Sequence, residues 1–260
     1  MATDPADALG AFDRFVDAPD RAGVFTDFDG TLAAIVDDPD TSRPLEGSAE
    51  VLDRLAGRVA RVAVISGRPV AFLERFLPDS ITVSGLYGLQ RVVDGARDDH
   101  PEAAAWAPVV DDVVAAGRAD GPAGMRVEHK ELSVTLHYRE HPELAGEVEA
   151  WAAAEAVRTG LEAHSARMSG GRPPPVPADK GTALLDLAGG LRAVCFLGDD
   201  VGDLPAFAAL DVLAEQGVAT VKVAVSSDEQ DRRLADAADV HVEGPEGALE
   251  LLRALADRLG

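Results

Sequence analysis

The chain has 260 residues and sets 24 lysines and arginines against 46 aspartates and glutamates, a formal net charge of −22. Apolar residues make up 47 % and charged residues 27 %, enough to bury the core of one large domain or two modest ones and too apolar for a disordered chain. The acidic surplus repels phosphate backbones and anionic lipid heads, so neither a nucleic-acid partner nor a membrane contact is expected.

The first residues, Met1-Ala2-Thr3-Asp4-Pro5, carry neither a basic region nor an apolar one of the kind that targets a chain. Gly23-Val24-Phe25-Thr26 predicts a buried strand ending at Asp27. A helix with Val51, Leu52 and Leu55 on one face follows, and then the strand Val62-Ala63-Val64-Ile65 ends at Ser66. A helix over Val70 to Phe76 leads to the strand Ile81-Thr82-Val83. The middle changes character. An Ala-rich helix is expected from Pro101 to Ala116, then a hairpin of Met125–His129 and Leu132–Tyr138, whose second strand alternates with period two. A helix over Pro142–Thr159 comes next, with Leu144, Val148, Trp151 and Ala152 at helical spacing. The stretch Gly170-Gly171-Arg172-Pro173-Pro174-Pro175-Val176-Pro177 is expected to be a hinge. Strands return at Val194–Leu197, Val221–Val225 and Val240–Val242, and the single cysteine, Cys195, lies inside the first, which excludes a disulfide framework. No stretch approaches the roughly 20 apolar residues of a membrane span. A cytoplasmic protein follows as the expectation.

Short β-branched runs alternating with helices predict a parallel sheet covered on both faces, interrupted by an inserted α+β unit. The predicted core is 1–97 with 171–260, and the insert is 98–170. Ligands of such sheets sit beyond the carboxyl ends of the strands, where Asp27, Ser66 and Asp199 all fall.

The residues at those ends suit phosphoryl chemistry. In Asp27-Phe28-Asp29-Gly30-Thr31-Leu32 one carboxylate can attack phosphorus and the second can protonate a leaving oxygen, while Gly30 lets the backbone approach an anion. Asp199, Asp200 and Asp203 add acidic groups; several carboxylates beside a phosphate dianion call for a hard divalent cation, and Mg²⁺ fits that inventory. Asp199 is the stronger ligand candidate, and Asp203 also reads as a helix cap. Ser66-Gly67-Arg68-Pro69, a hydroxyl and a flexible amide before a helix, forms a usable phosphate cradle. Lys180 in Asp179-Lys180-Gly181-Thr182 can neutralise phosphate and nucleophile together, and it is one of only three lysines, with Lys130 and Lys222. His137 and His141 span a strand end and read as a solvated pair rather than a zinc site, and Trp106 and Trp151 as core of the insert.

These four strand-end motifs, in this order, resemble those of the haloacid dehalogenase-like phosphohydrolase superfamily. Within it the chain resembles the trehalose-6-phosphate phosphatases, through the motifs above together with Asp37-Asp38-Pro39, Val127-Glu128-His129-Lys130 running to His137-Tyr138-Arg139, and Gly198-Asp199-Asp200 leading to Phe207. The resemblance spans residues 22–245. It implies a Rossmann-like parallel-sheet core with an α+β cap, hydrolysis of trehalose 6-phosphate through an aspartyl phosphate, and Mg²⁺ as cofactor. It makes Asp27 the nucleophile and Asp29 the general acid/base. Mg²⁺ would be held by Asp27, the Asp29 carbonyl and Asp199, with Asp200 or Asp203 in support. Gly30, Ser66, Gly67 and Lys180 would bind phosphate. Arg68, Glu128, Lys130 and Arg139 would meet the sugar as the cap closes. A monomer acting on a small-molecule sugar phosphate is expected.

Three positions depart from that pattern. Gly85-Leu86-Tyr87-Gly88-Leu89-Gln90 lacks the usual His and acidic residue, Gly170-Gly171-Arg172-Pro173 replaces Glu-Leu-Arg-Pro, and Gly202-Asp203-Leu204 replaces Thr-Asp-Glu. They are expected near the sugar or just behind the reacting groups, so a related sugar phosphate is an alternative substrate. A catalytically idle sugar-phosphate sensor is a third reading, and the intact Asp29 argues against it.

Overall fold

The computed structural model describes residues 3, 5–36, 38–100, 103–129, 134–138, 140–161, 164–166, 169–172, 178–226 and 232–260. They form two compact units, Met1–Asp98 with Ala178–Gly260, and Asp99–Pro177.

The first unit is built on eight strands. In chain order they are β1 (Ala22–Thr26), β2 (Arg61–Ile65), β3 (Thr82–Gly85), β4 (Gln90–Val93) and β5 (Ala96–Arg97), and, beyond the second unit's four, β10 (Ala193–Gly198), β11 (Ala219–Ser226) and β12 (Val240–Glu243). The sheet order is β12-β11-β10-β1-β2-β3-β4-β5. Pairing is parallel from β12 to β3 and antiparallel from β3 to β5.

Successive side chains of a strand point to opposite faces, and here both faces are apolar. Val24, Val62, Val64, Cys195, Leu197 and Val223 share one core with Val51, Leu52, Leu252 and Leu255, from the helices Ser48–Ala56 and Gly244–Arg258. Phe25, Ala63, Ile65, Val194 and Phe196 share the other with Leu184, Leu187, Phe207 and Leu210, from the helices Lys180–Leu187 and Leu204–Glu215. A sheet buried on both faces explains why these strands read as unbroken apolar runs. The helix expected over Val70 to Phe76 is α-helical only at Val70–Leu73. Beyond it the N–H of Phe76 bonds Leu73 and that of Arg75 bonds Phe72, both i→i−3, as the chain tightens ahead of Pro78.

The second unit has its own sheet, in the order β6-β7-β9-β8, made of β6 (Arg126–His129), β7 (Val134–His137), β8 (His164–Ala166) and β9 (Ser169–Arg172), all antiparallel. The helices Ala103–Asp120 and Ala145–Thr159 cover it, the second preceded by a 3₁₀ turn at Pro142–Leu144. Val110, Val113, Leu136, Tyr138 and Val148 form the core, with Trp106 and Trp151 packed against it. One expectation is corrected. Gly170 and Gly171 are not a hinge but the middle of β9, opposite Leu136 and Thr135 on one side and Ser165 and His164 on the other. Glycines lack the side chains whose alternation marks a strand, so the ladder was invisible in the residue pattern. Pro173–Pro177, the rest of the expected hinge, lies outside the described residues, as do Asp37, Lys130, Leu132 and Arg139. No helix among the described residues is long and apolar enough to cross a membrane.

Candidate active site

The register of β10, β1 and β2 places three polar residues at one rim. Thr26 pairs with Leu197 and with Val64, so Asp27 leaves β1 beside the ends of β10, which leads to Asp199, and β2, which leads to Ser66. The Asp27 N–H still donates to the Leu197 carbonyl, at 2.8 Å, which holds the first motif against its neighbour.

Asp27, Asp199 and Asp203 are all buried, and each offers a carboxylate oxygen within 4.8 Å of the others. Lys180 enters from the start of its helix. Asp179 fixes that helix end, its carboxylate accepting from the Thr182 N–H at 2.7 Å while its own N–H donates to the Thr182 hydroxyl at 3.0 Å. Lys180 Nζ then lies 2.8 Å from Asp27 Oδ2 and donates to Asp203 Oδ1 at 2.6 Å. The other oxygen of Asp203 accepts from the N–H groups of Asp199 and Asp200, at 2.9 and 3.1 Å. Asp203 therefore holds the loop that carries Asp199 as well as the lysine. Asp200 turns outward, accepting from the Gly202 N–H at 2.8 Å, and stands apart from the buried triad.

Three buried carboxylates against one ammonium leave an uncompensated negative charge. Burial raises the pKa of Asp27 well above the ordinary carboxylate value, Asp203 raises it further, and Lys180 opposes both. Burial, with Asp203 and Asp200 beside it, pushes Asp199 up to about 7. Burial alone would lower Lys180, but Asp27, Asp203 and Asp200 hold it above its ordinary value, so it stays an ammonium. A cluster of hard oxygen donors short of positive charge fits a divalent cation such as Mg²⁺.

Gly30 has a narrower place than expected. Its N–H donates to the Ala33 carbonyl at 2.7 Å, so that amide is committed within the loop instead of facing a phosphate. What glycine supplies is space and a left-handed backbone: φ is +77°, and an added Cβ would lie 2.0 Å from Asp199 Oδ2.

Asp29 points elsewhere. Arg68 grips it with two hydrogen bonds, Nε to Oδ2 and Nη2 to Oδ1, both 2.7 Å. The Ser42 hydroxyl adds a third at 2.8 Å, and Arg68 Nη1 reaches the Pro39 carbonyl at 2.7 Å. Arg68, expected at the sugar, is thus a partner of the expected acid/base, stacked 4.4 Å above the Phe72 ring. Ser66 is buried, and its Oγ accepts from the Arg68 N–H at 3.2 Å, leaving the hydroxyl proton free to be donated.

Gln90 is buried too, and its Oε1 accepts from the Val70 N–H at 3.0 Å. This departure from the family pattern therefore sits at a helix start and supplies a carbonyl acceptor there. In the second unit Glu128 is 2.6 Å from His137 across the β6–β7 pair, and His141 lies 3.2 Å from Glu143, so the two histidines serve different partners. Lys130 and Arg139 lie outside the described residues. Ser42 and the double role of Asp203 carried no signal in the sequence, because both depend on contacts across the fold.

The chain is similar to known proteins in sequence and in fold. The trehalose-phosphatase family profile covers residues 25–240. The trehalose-phosphate phosphatase of Mycobacterium avium is 37 % identical over 91 % of this chain and 62 % of its own, and that of Mycobacterium bovis 36 % over 98 % and 66 %. The chain thus spans a little under two thirds of the length of these relatives. Among solved structures, the C-terminal domain of Candida albicans trehalose-6-phosphate phosphatase superposes with a TM-score of 0.73 at 23 % identity, covering 98 % of this chain and 97 % of that one. A haloacid dehalogenase-like hydrolase from Bacteroides thetaiotaomicron follows at 0.61 and 16 %, over 90 % and 99 %. These likenesses show a haloacid dehalogenase-like fold, and with the profile spanning most of its length the chain belongs to the trehalose-phosphatase family.

Proposed function

We propose that the chain hydrolyses trehalose 6-phosphate to trehalose and inorganic phosphate, with Asp27 as nucleophile. The observation that carries this reading is the buried contact of Asp27 with Lys180, where a carboxylate whose pKa burial raises is held beside an ammonium at 2.8 Å. Membership of the family and the likeness to the mycobacterial trehalose-phosphate phosphatases support this choice of substrate.

In the first step a carboxylate oxygen of Asp27 attacks phosphorus, the bond from phosphorus to the sugar O6 breaks, and Asp29, protonated once its pair with Arg68 has opened, delivers that proton to the sugar oxygen. In the second, water attacks the aspartyl phosphate, Asp29 takes the water proton, and Asp27 is released with inorganic phosphate. Lys180, Ser66 and the Gly67 amide hold the phosphate oxygens throughout, and Arg68 and Ser42 orient Asp29. Asp27, Asp199 and the Asp29 carbonyl would hold Mg²⁺, with Asp203 behind them and Asp200 at the edge. When bound, the ion supplies the positive charge that the acidic cluster lacks. Glu128, oriented by His137, would read the sugar together with Lys130 and Arg139, the 99–177 unit acting as the cap. The strong negative charge makes copies of the chain repel one another, which suits a monomer acting on a small molecule, and a cytoplasmic setting is part of the same proposal.

Phosphate release with Mg²⁺ from trehalose 6-phosphate, glucose 6-phosphate, sucrose 6-phosphate and an aryl phosphate tests the reading. The expected result is a preference for trehalose 6-phosphate that Asp27→Asn lowers by about 10³-fold or more. Equal turnover by that variant would overturn the mechanism, and even, slow turnover across the panel would overturn the substrate.

A further inference from the structure

The turn joining β3 to β4 holds an unusual backbone. Leu86 and Tyr87, neither of them glycine, have φ of 47° and 60°, and Gly88 continues at 98°. Two consecutive side-chain-bearing residues in the left-handed region carry a conformational cost, and such strain persists only where the surroundings hold it. Here they do. The Leu86 N–H donates to the Arg68 carbonyl and the Tyr87 N–H to the Ser66 carbonyl, both at 3.0 Å, tying the turn to the segment that carries the phosphate cradle.

The result is the placement of one side chain. A Cβ added at Gly67 would lie 2.7 Å from Tyr87 Oη and 2.8 Å from Cζ, so the phenol end rests directly against the cradle backbone. The residue as a whole is 45 % exposed, and its hydroxyl has no hydrogen-bond partner among the described residues. Burial at that end and the nearby Asp27, Asp200 and Asp203 raise the phenol's pKa, with Lys180 opposing, so it stays a proton donor.

From this geometry we propose that the Tyr87 hydroxyl is a substrate contact, donating a hydrogen bond to a phosphate oxygen held at Ser66–Gly67. The inference deepens the phosphatase reading and rests on its cradle, but it needs no particular sugar. A donor that contacts the phosphate before and during reaction contributes to binding more than to the chemical step.

Tyr87→Phe removes the donor and keeps the ring. Calorimetric titration with inorganic phosphate in the presence of Mg²⁺ should show the variant binding about 10-fold more weakly than wild type, the size expected for a hydrogen bond to a charged group. Wherever turnover is measurable, KM should rise by about the same factor with kcat changed less than about 3-fold. The melting temperature without phosphate should match wild type, which separates a contact from a scaffold role. Equal phosphate affinity in the two proteins would overturn the proposal, as would a wild type that binds no phosphate. A wild type that binds phosphate more tightly than Tyr87→Phe but ignores trehalose 6-phosphate would leave this contact standing and remove the substrate assignment alone.

Discussion

Asp199 is 2 % exposed and shares its surroundings with Asp27 and Asp203, so ionising it works against both desolvation and like charge. Its pKa of about 7 lies above the ordinary value of 3.8. Between those values the folded state keeps a proton that the unfolded state has released, so stability falls as pH rises through the window and stays lowered above it. Without metal, wild type is expected to lose stability relative to Asp199→Asn from about pH 4 to about pH 7. Melting temperatures of both proteins across that range check the sign, and parallel curves would contradict it. If Mg²⁺ is held as proposed, at pH about 8 it should raise the melting temperature of wild type more than that of the variant, because an ion on the folded carboxylate would supply the missing charge.

At the scale of elements, each side chain of the site depends on how its strand or helix ends. Val70 begins its helix with a buried N–H, and Gln90 from β4 accepts from it. Gln90→Leu leaves that amide unpaired and is expected to cost about 1–3 kcal/mol in urea denaturation. Gln90→Glu keeps an acceptor and should lose less; equal losses would show that packing, not the hydrogen bond, sets the cost. The edge hairpin that brings Gln90 there escaped the residue pattern. Gln90–Val93 and Ala96–Arg97 are short, and their burial falls from buried at Gln90 to exposed at Arg97, so no apolar run announces them. The buried strands β1, β2 and β10 were legible for the opposite reason, since an all-apolar segment ending abruptly at Asp27, Ser66 or Gly198-Asp199 leaves few other structures open.

At the scale of the molecule, the net charge of −22 opposes compaction through self-repulsion that salt screens. The melting temperature should therefore rise between about 0.02 M and about 0.3 M NaCl, where the Debye length shrinks from about 20 Å to about 6 Å. A fall would mean that surface ion pairs, such as Arg158 with Asp112 and Glu155, outweigh the repulsion.

The sequence by itself determined the α/β core, the interrupting α+β unit and the rim on which Asp27, Ser66 and Asp199 meet. Those features follow from local periodicity and from where apolar runs stop, quantities that depend on neighbours in the chain. Only the tertiary structure decided which groups touch. Arg68 could be assigned to a sugar on chemistry alone, yet the fold spends its Nε and Nη2 on Asp29, 39 residues away in the chain. Asp203 reads as a helix cap in its own sequence, yet one oxygen belongs to Lys180, 23 residues earlier. Tyr87 rests against Gly67 through a turn in the left-handed region that is tied to Ser66 and Arg68. A carboxylate, a guanidinium or a phenol has several possible partners of suitable charge, and the choice among them is made by distances of about 3 Å that the packing of the sheet and its helices sets.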